Sequence, residues 1–201
     1  MNLLTCHLPD TVEIGGKPVS IHTDFRVWAN FESLVLAENS TVEQLLALCY
    51  QEPVMDPVEA VKKAVWFYRM GKEDVSADTR SSANKGRCYD FEQDSASLVA
   101  SFRAAYGIDL LTEKIHWWAF RALMLDLPED CPFCKIIGYR TVDTKGMDPK
   151  RRKFYTEQKK RYALKQAGCA EPTTLRERDQ NMRDYIARRF RETEANRGKK
   201  T

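Results

Sequence analysis

The stretch 115–127 constrains this chain more than any other. Ile115, Trp117, Trp118, Phe120, Leu123, Met124 and Leu127 fall around much of the circumference of a 3.6-residue spiral. A surface helix keeps one polar side, so a segment apolar on most sides has to be wrapped by other elements. It therefore reads as a central buried helix, capped by Thr112 and closed by Pro128. The rest of the chain has the material to wrap it, with 43% hydrophobic and 10% aromatic residues. That composition also sets the chain apart from disordered polymers.

The wrapping elements are helices too. Asp24 stands ahead of Phe25, Trp28, Phe31, Leu34 and Val35, spaced as one apolar face. Ser40 and Glu43 have capping-box spacing before Leu45, Leu46, Leu48 and Cys49. Asp56-Pro57 places a cap and then a proline at the first helical position, ahead of Val58, Val61, Val65 and Tyr68, with Gly71 as the stop. Residues 72–87 are polar and read as a long loop. A further helix opens at Tyr89-Asp90-Phe91-Glu92, carries Leu98, Val99, Phe102 and Tyr106, and ends at Gly107. A short element is expected at 133–137, with a linker at 141–146.

Only the start departs from the helical pattern. Val12-Glu13-Ile14 and Val19-Ser20-Ile21 alternate apolar and polar residues around Gly15-Gly16-Lys17-Pro18, which predicts a β-hairpin. At the other end, Pro149 begins a basic helix with a thin stripe of Phe154, Tyr155 and Tyr162. A last helix from Thr173 carries Leu175, Met182, Ile186 and Phe190. The expected fold is mostly α, a helical bundle with a small N-terminal β-hairpin and a basic C-terminal helical extension. The division is a body over 1–145 and an extension over 146–201.

Charge separates these two parts. Residues 147–201 hold 17 Lys/Arg against 8 Asp/Glu, a net of +9, and the remaining residues hold 15 against 21, a net of −6. Lys150-Arg151-Arg152-Lys153 and Arg188-Arg189-x-Arg191 are dense enough to meet phosphates, but interleaved acids weaken a nucleic-acid reading. A stripe as narrow as Tyr155, Tyr162, Met182, Ile186 and Phe190 buries little by itself. These residues, with Arg188 and Arg189, are the expected partner-binding set.

Motifs for catalysis or cofactors are few. Cys131-Pro132-Phe133-Cys134 has the form of a redox centre. No strand precedes it as a glutaredoxin-like fold requires, and a single CxxC supplies only half of a zinc site. Two small buried thiols at a helix start is the preferred reading. Asp90, Glu92 and Asp94 alternate as in a calcium loop, but Ser95 and Ser101 stand where Gly and Glu belong, so Asp90 reads as a helix cap. Trp117 and Trp118 point about 100° apart on a helix and cannot sandwich one ligand, so they read as core anchors. No cofactor, metal or catalysis is expected. The N-terminal residues lack a basic region and an apolar run, and no segment reaches the ~20 apolar residues of a membrane span. The six cysteines are thus expected as thiols in a reducing cytoplasm.

Several segments together resemble a known family. They are Leu8-Pro9-Asp10-Thr11-Val12, Thr23-Asp24-Phe25-Arg26, Tyr89-Asp90-Phe91-Glu92-Gln93-Asp94 and Tyr106-Gly107-Ile108-Asp109-Leu110. His116-Trp117-Trp118-x-Phe120-Arg121-x-Leu123, Leu127-Pro128 and Ile136-Ile137-Gly138-Tyr139-Arg140 complete the set. Over about 3–165 the chain resembles the bacteriophage family called gene product fifteen, from tail modules of long-tailed phages and prophages of Gram-positive bacteria. Genes of that family typically lie just before the tape-measure gene, where tail assembly chaperones are encoded. The resemblance implies a non-enzymatic tail assembly protein in the host cytoplasm, acting on the tape-measure protein and other tail proteins, with homo-oligomers open. The rival readings are a structural component of the finished tail, a nucleic-acid-binding phage protein, and a thiol or zinc protein. Cys131 and Cys134 depart from the family, where polar residues are usual. Residues after Gly168 lie beyond the resemblance.

Overall fold

Gly15 and Gly16 reverse the chain within two residues. Their φ values of +58° and +73° are both positive, as a type I′ hairpin turn requires and as glycine adopts without steric cost. In the computed structural model, which describes residues 5–36, 40–72 and 88–165, the turn joins β1 (Thr11–Ile14) to β2 (Lys17–Ser20). The strands are antiparallel, with Thr11 opposite Ser20 and Ile14 opposite Lys17. The turn is shorter than the sequence reading, because Lys17 and Pro18 belong to β2. A two-stranded ribbon is marginal alone. Here Val12 and Ile14 are buried, and the Gly15 N–H donates to the Glu59 carboxylate at 2.7 Å.

Among the described residues the other named elements are seven helices: α1 (Phe25–Leu36), α2 (Val42–Cys49), α3 (Pro57–Tyr68), α4 (Ser95–Tyr106), α5 (Trp117–Leu125), α6 (Pro132–Thr141) and α7 (Pro149–Arg161). The protein is mostly α with one small hairpin, as expected.

Several starts match the sequence reading. Asp24 accepts from the Arg26 N–H at 2.9 Å, and Asp56 accepts from Val58 and Glu59 with Pro57 following. Others shift. The capping box of α2 is Thr41 with Gln44, one residue beyond Ser40 and Glu43, since Thr41 is the residue in the extended conformation that a cap needs. Asp90 does cap, accepting from Glu92 and Gln93, but it closes a turn over 91–94, and α4 begins at Ser95. The element expected at 133–137 is the ten-residue α6, so the linker covers 142–148.

The largest difference lies at α5, which starts at Trp117 rather than after Thr112. Asp109 holds Thr112 in a separate turn, where its carbonyl accepts from Thr112 and Glu113. The backbone then pairs with distant residues. Phe25 N–H donates to the Ile115 carbonyl at 3.0 Å, and Trp117 N–H donates to the Thr23 carbonyl at 2.7 Å. The bridged pair is Asp24 and His116, and α1 and α5 each begin at the residue that follows, Phe25 and Trp117. His116 takes the capping role, with Nδ1 accepting from the Trp118 N–H at 3.1 Å.

The chain forms two compact units, and they do not divide it at 145/146. In the first, whose described residues run to 72 and over 114–122, the core is aromatic. Phe25 stacks on Phe120 at 4.4 Å between centroids, Trp28 on Phe67 at 4.8 Å and Trp117 on Tyr68 at 5.3 Å. Trp28, Trp117 and Trp118 are fully buried. The indole N–H of Trp117 donates to the Tyr68 carbonyl and that of Trp118 to the Phe67 carbonyl. Both acceptors lie in the last turn of α3, whose carbonyls have no partner within the helix. The tryptophans are thus core anchors whose polar atoms complete a helix end.

The second unit, described over 88–113 and 123–165, contains α4, α6 and α7. Leu98, Phe102, Leu127 and Phe133 are buried in it. The expected loop over 72–87 lies outside the described residues from 73 onward, as does the expected helix from Thr173.

Candidate partner-binding surface

Asp148 fixes the start of α7 by accepting from the Lys150 and Arg151 N–H groups, and Pro149 supplies a first helical residue whose missing N–H costs nothing. No residue of α7 is buried. Tyr155, Gln158, Lys159 and Tyr162 are half-buried, at the spacing of one helical face. Tyr139 on α6 explains that face. It stacks on Tyr162 at 5.6 Å with the rings 15° from parallel, and lies 6.4 Å from Tyr155 and 6.3 Å from Phe154.

The two described members of the expected partner-binding set therefore both lie against Tyr139 while staying half-exposed. Phe154, whose ring edge also meets Tyr139, remains 47% exposed, and Lys150, Arg151, Arg152 and Lys153 near it are exposed as well. Across the helix seven Lys/Arg face a single acid, Glu157. Met182, Ile186, Phe190, Arg188 and Arg189 lie outside the described residues.

Arg140 anchors this arrangement. Its guanidinium forks onto Asp94 at 2.5 and 2.7 Å, both side chains being almost wholly buried. It also donates to the Tyr162 carbonyl at 2.6 Å and the Cys88 carbonyl at 3.0 Å. One side chain thereby holds the end of α7, the entry to α4 and α6 together. A planar guanidinium has five donors in a fixed fork, which suits it to this role. Sequence reasoning missed it because nothing local links residue 94 to residue 140. The Asp94 carboxylate, occupied by Arg140 and the Asp90 N–H, makes no cap bond to α4. Among the described residues no three of His, Cys, Asp and Glu come together as metal ligands.

Two of the segments that carry the family resemblance, 89–94 and 136–140, are thus joined by an ionic fork. A family model described as Bacteriophage Gp15 protein matches residues 4–164. The chain belongs to that bacteriophage family. No curated protein and no solved structure matches it. Membership makes this Gp15 chain a phage structural or assembly-related protein. Among its described residues no helix is long and apolar enough to cross a membrane. The matched residues include α7 and stop just past Tyr162, so the basic helix is part of the Gp15 unit.

Proposed function

We propose that this Gp15 protein acts in tail morphogenesis as an assembly chaperone, binding the tape-measure protein in the host cytoplasm and catalysing nothing. The observation that supports this reading is the first turn of α7. It carries Lys150, Arg151 and Arg152 and no acid, where the helix dipole favours anions. Such placement costs local stability and is readily understood if those charges serve a partner. Phe154 beside them offers an apolar contact, so the surface suits a helical chain with acidic residues flanking an apolar stripe.

Co-expression with the tape-measure protein, followed by pull-down, tests the assignment. Wild type should capture it, and the Arg151→Glu/Lys153→Glu and Phe154→Ala variants should lose most of the capture. Undiminished capture by both variants would remove α7 from the interface. Mass spectrometry of purified virions separates chaperone from tail component, because a chaperone is absent from finished particles. The nucleic-acid reading would gain if the protein were retained on DNA with a steep salt dependence.

A further inference from the structure

Pro128, Glu129, Asp130 and Pro132 are exposed beside a thiol pair, buried at Cys131 and half-buried at Cys134, that the tail-assembly role does not use. Cys131 is the N-cap of α6, with extended backbone angles of −67° and 157°, and Pro132 follows at the first helical position. Its Sγ accepts from the Cys134 N–H at 3.4 Å, while the Cys134 thiol is directed at the Leu127 carbonyl at 3.7 Å. Cα atoms three apart on a helical first turn are about 5 Å apart, inside the range a disulfide spans. Closing the bond between these positions thus demands no rearrangement of the backbone.

The two sulfurs are unlike. Burial raises the Cys131 thiol, but hydrogen bonding, with the Cys134 amide donating to its sulfur, outweighs it and leaves the group below its usual value. Burial, and the neighbouring Cys131 sulfur after it, push Cys134 up. Cys131 is thus the more readily ionised of the two sulfurs and Cys134 the less, the division of labour that thiol–disulfide exchange uses. Cys49, by contrast, is fully buried, and desolvation pushes its thiol up. Two thiolates are half of a zinc site, and no third ligand stands beside them among the described residues.

We propose that Cys131 and Cys134 form a reversible redox site that a small-molecule disulfide of the glutathione type oxidises to an intrachain disulfide. The Cys131 thiolate attacks one sulfur of the oxidant and breaks its S–S bond. A mixed disulfide forms, and one glutathione leaves as thiolate and takes a proton from solvent. Cys134 then releases its proton to solvent, and its sulfur attacks Cys131 Sγ, expelling the second glutathione. Two protein thiols are oxidised and one glutathione disulfide is reduced to two thiols, a transfer of two electrons. The reverse reaction restores the dithiol wherever reduced glutathione dominates.

The test equilibrates the full-length protein with graded ratios of reduced to oxidised glutathione at pH 7, followed by acid quenching, alkylation and tryptic mapping. Cleavage after Arg121 and Lys135 leaves both cysteines in one peptide with no other. The expected result is an internal disulfide in that peptide, appearing in a single two-electron transition. Iodoacetamide should label Cys131 at least about tenfold faster than Cys134 in the reduced protein. The Cys134→Ser variant, which retains the capping sulfur, should stop at a glutathione adduct on Cys131. The proposal fails if both thiols stay free in excess oxidised glutathione, if Cys131 pairs with Cys88 or Cys169, or if labelling favours Cys134. Should Cys134→Ser not fold, the wild-type mapping and the labelling rates decide alone.

Discussion

Asp94 and Arg140, 46 residues apart, share a two-pronged ion pair that the protein removes almost wholly from water. The Arg140 fork also takes up two backbone carbonyls, so few donors of the guanidinium are left over. Breaking such a pair from one side strands a charge in a poorly solvated place. Arg140→Gln should destabilise the protein by about 3–5 kcal/mol in urea unfolding. Arg140→Lys should recover only part of the loss, because a point ammonium cannot make the fork. An Arg140→Gln protein as stable as wild type would show that the pair contributes nothing.

Two glycines with the same backbone angle should respond differently to alanine. Gly71 and Gly107 both have φ of +71°. A Cβ on Gly107 meets nothing within 4 Å, so Gly107→Ala should cost only the left-handed penalty, about 1 kcal/mol. A Cβ on Gly71 would lie 2.9 Å from the fully buried Trp118 ring and 3.3 Å from Trp66. Gly71→Ala should therefore cost the same penalty plus the overpacking, about 2–4 kcal/mol in all. Equal losses in thermal unfolding would contradict the close approach.

Acid should weaken the fold through His116. Its Nε2–H donates to the Pro9 carbonyl at 3.0 Å, and Nδ1 accepts from Trp118, so the neutral ring is the form that fits. Burial holds its pKa below the usual 6.5, with the Pro9 carbonyl and Asp10 pulling partly back. The unfolded chain takes up this proton first as pH falls. The stability it lends is complete above about pH 6.5 and is lost as pH drops through the folded-state value. Unfolding free energy measured from pH 8 to 5 should decline over that window, and His116→Gln should flatten the decline. A slope unchanged by the substitution would assign it to other groups.

Arg151→Glu separates stability from binding. It places an acid at the third position of α7, where the dipole and the capping geometry favour one, and should raise stability by a few tenths of a kcal/mol to about 1 kcal/mol. The proposed partner should nevertheless bind less well. Thermal melting and pull-down on the same preparation check both signs, and a fall in melting temperature would contradict the electrostatic argument.

Local chemistry made the sequence legible where it acts within a few residues. Asp56-Pro57, Asp148-Pro149, the paired glycines and the stop at Gly107 each settle an element by short-range sterics and hydrogen bonds. Apolar spacing placed Trp28, Phe31, Phe102, Trp117 and Trp118 in the core. Contacts distant in sequence were not legible. The pairing of Thr23 and Phe25 with Trp117 and Ile115 delays α5 by several residues, and no local pattern encodes it. For the same reason the packing of Tyr155 and Tyr162 against Tyr139 was not legible.

All four tryptophans of the chain, Trp28, Trp66, Trp117 and Trp118, lie in the first compact unit. The second holds Tyr89, Tyr106, Tyr139, Tyr155 and Tyr162 and no indole. Emission excited at the red edge of the absorption band therefore reports on one half alone, while far-ultraviolet dichroism sums over every helix. Non-coincident denaturation curves from these two optical signals would show the halves melting separately, with no label introduced.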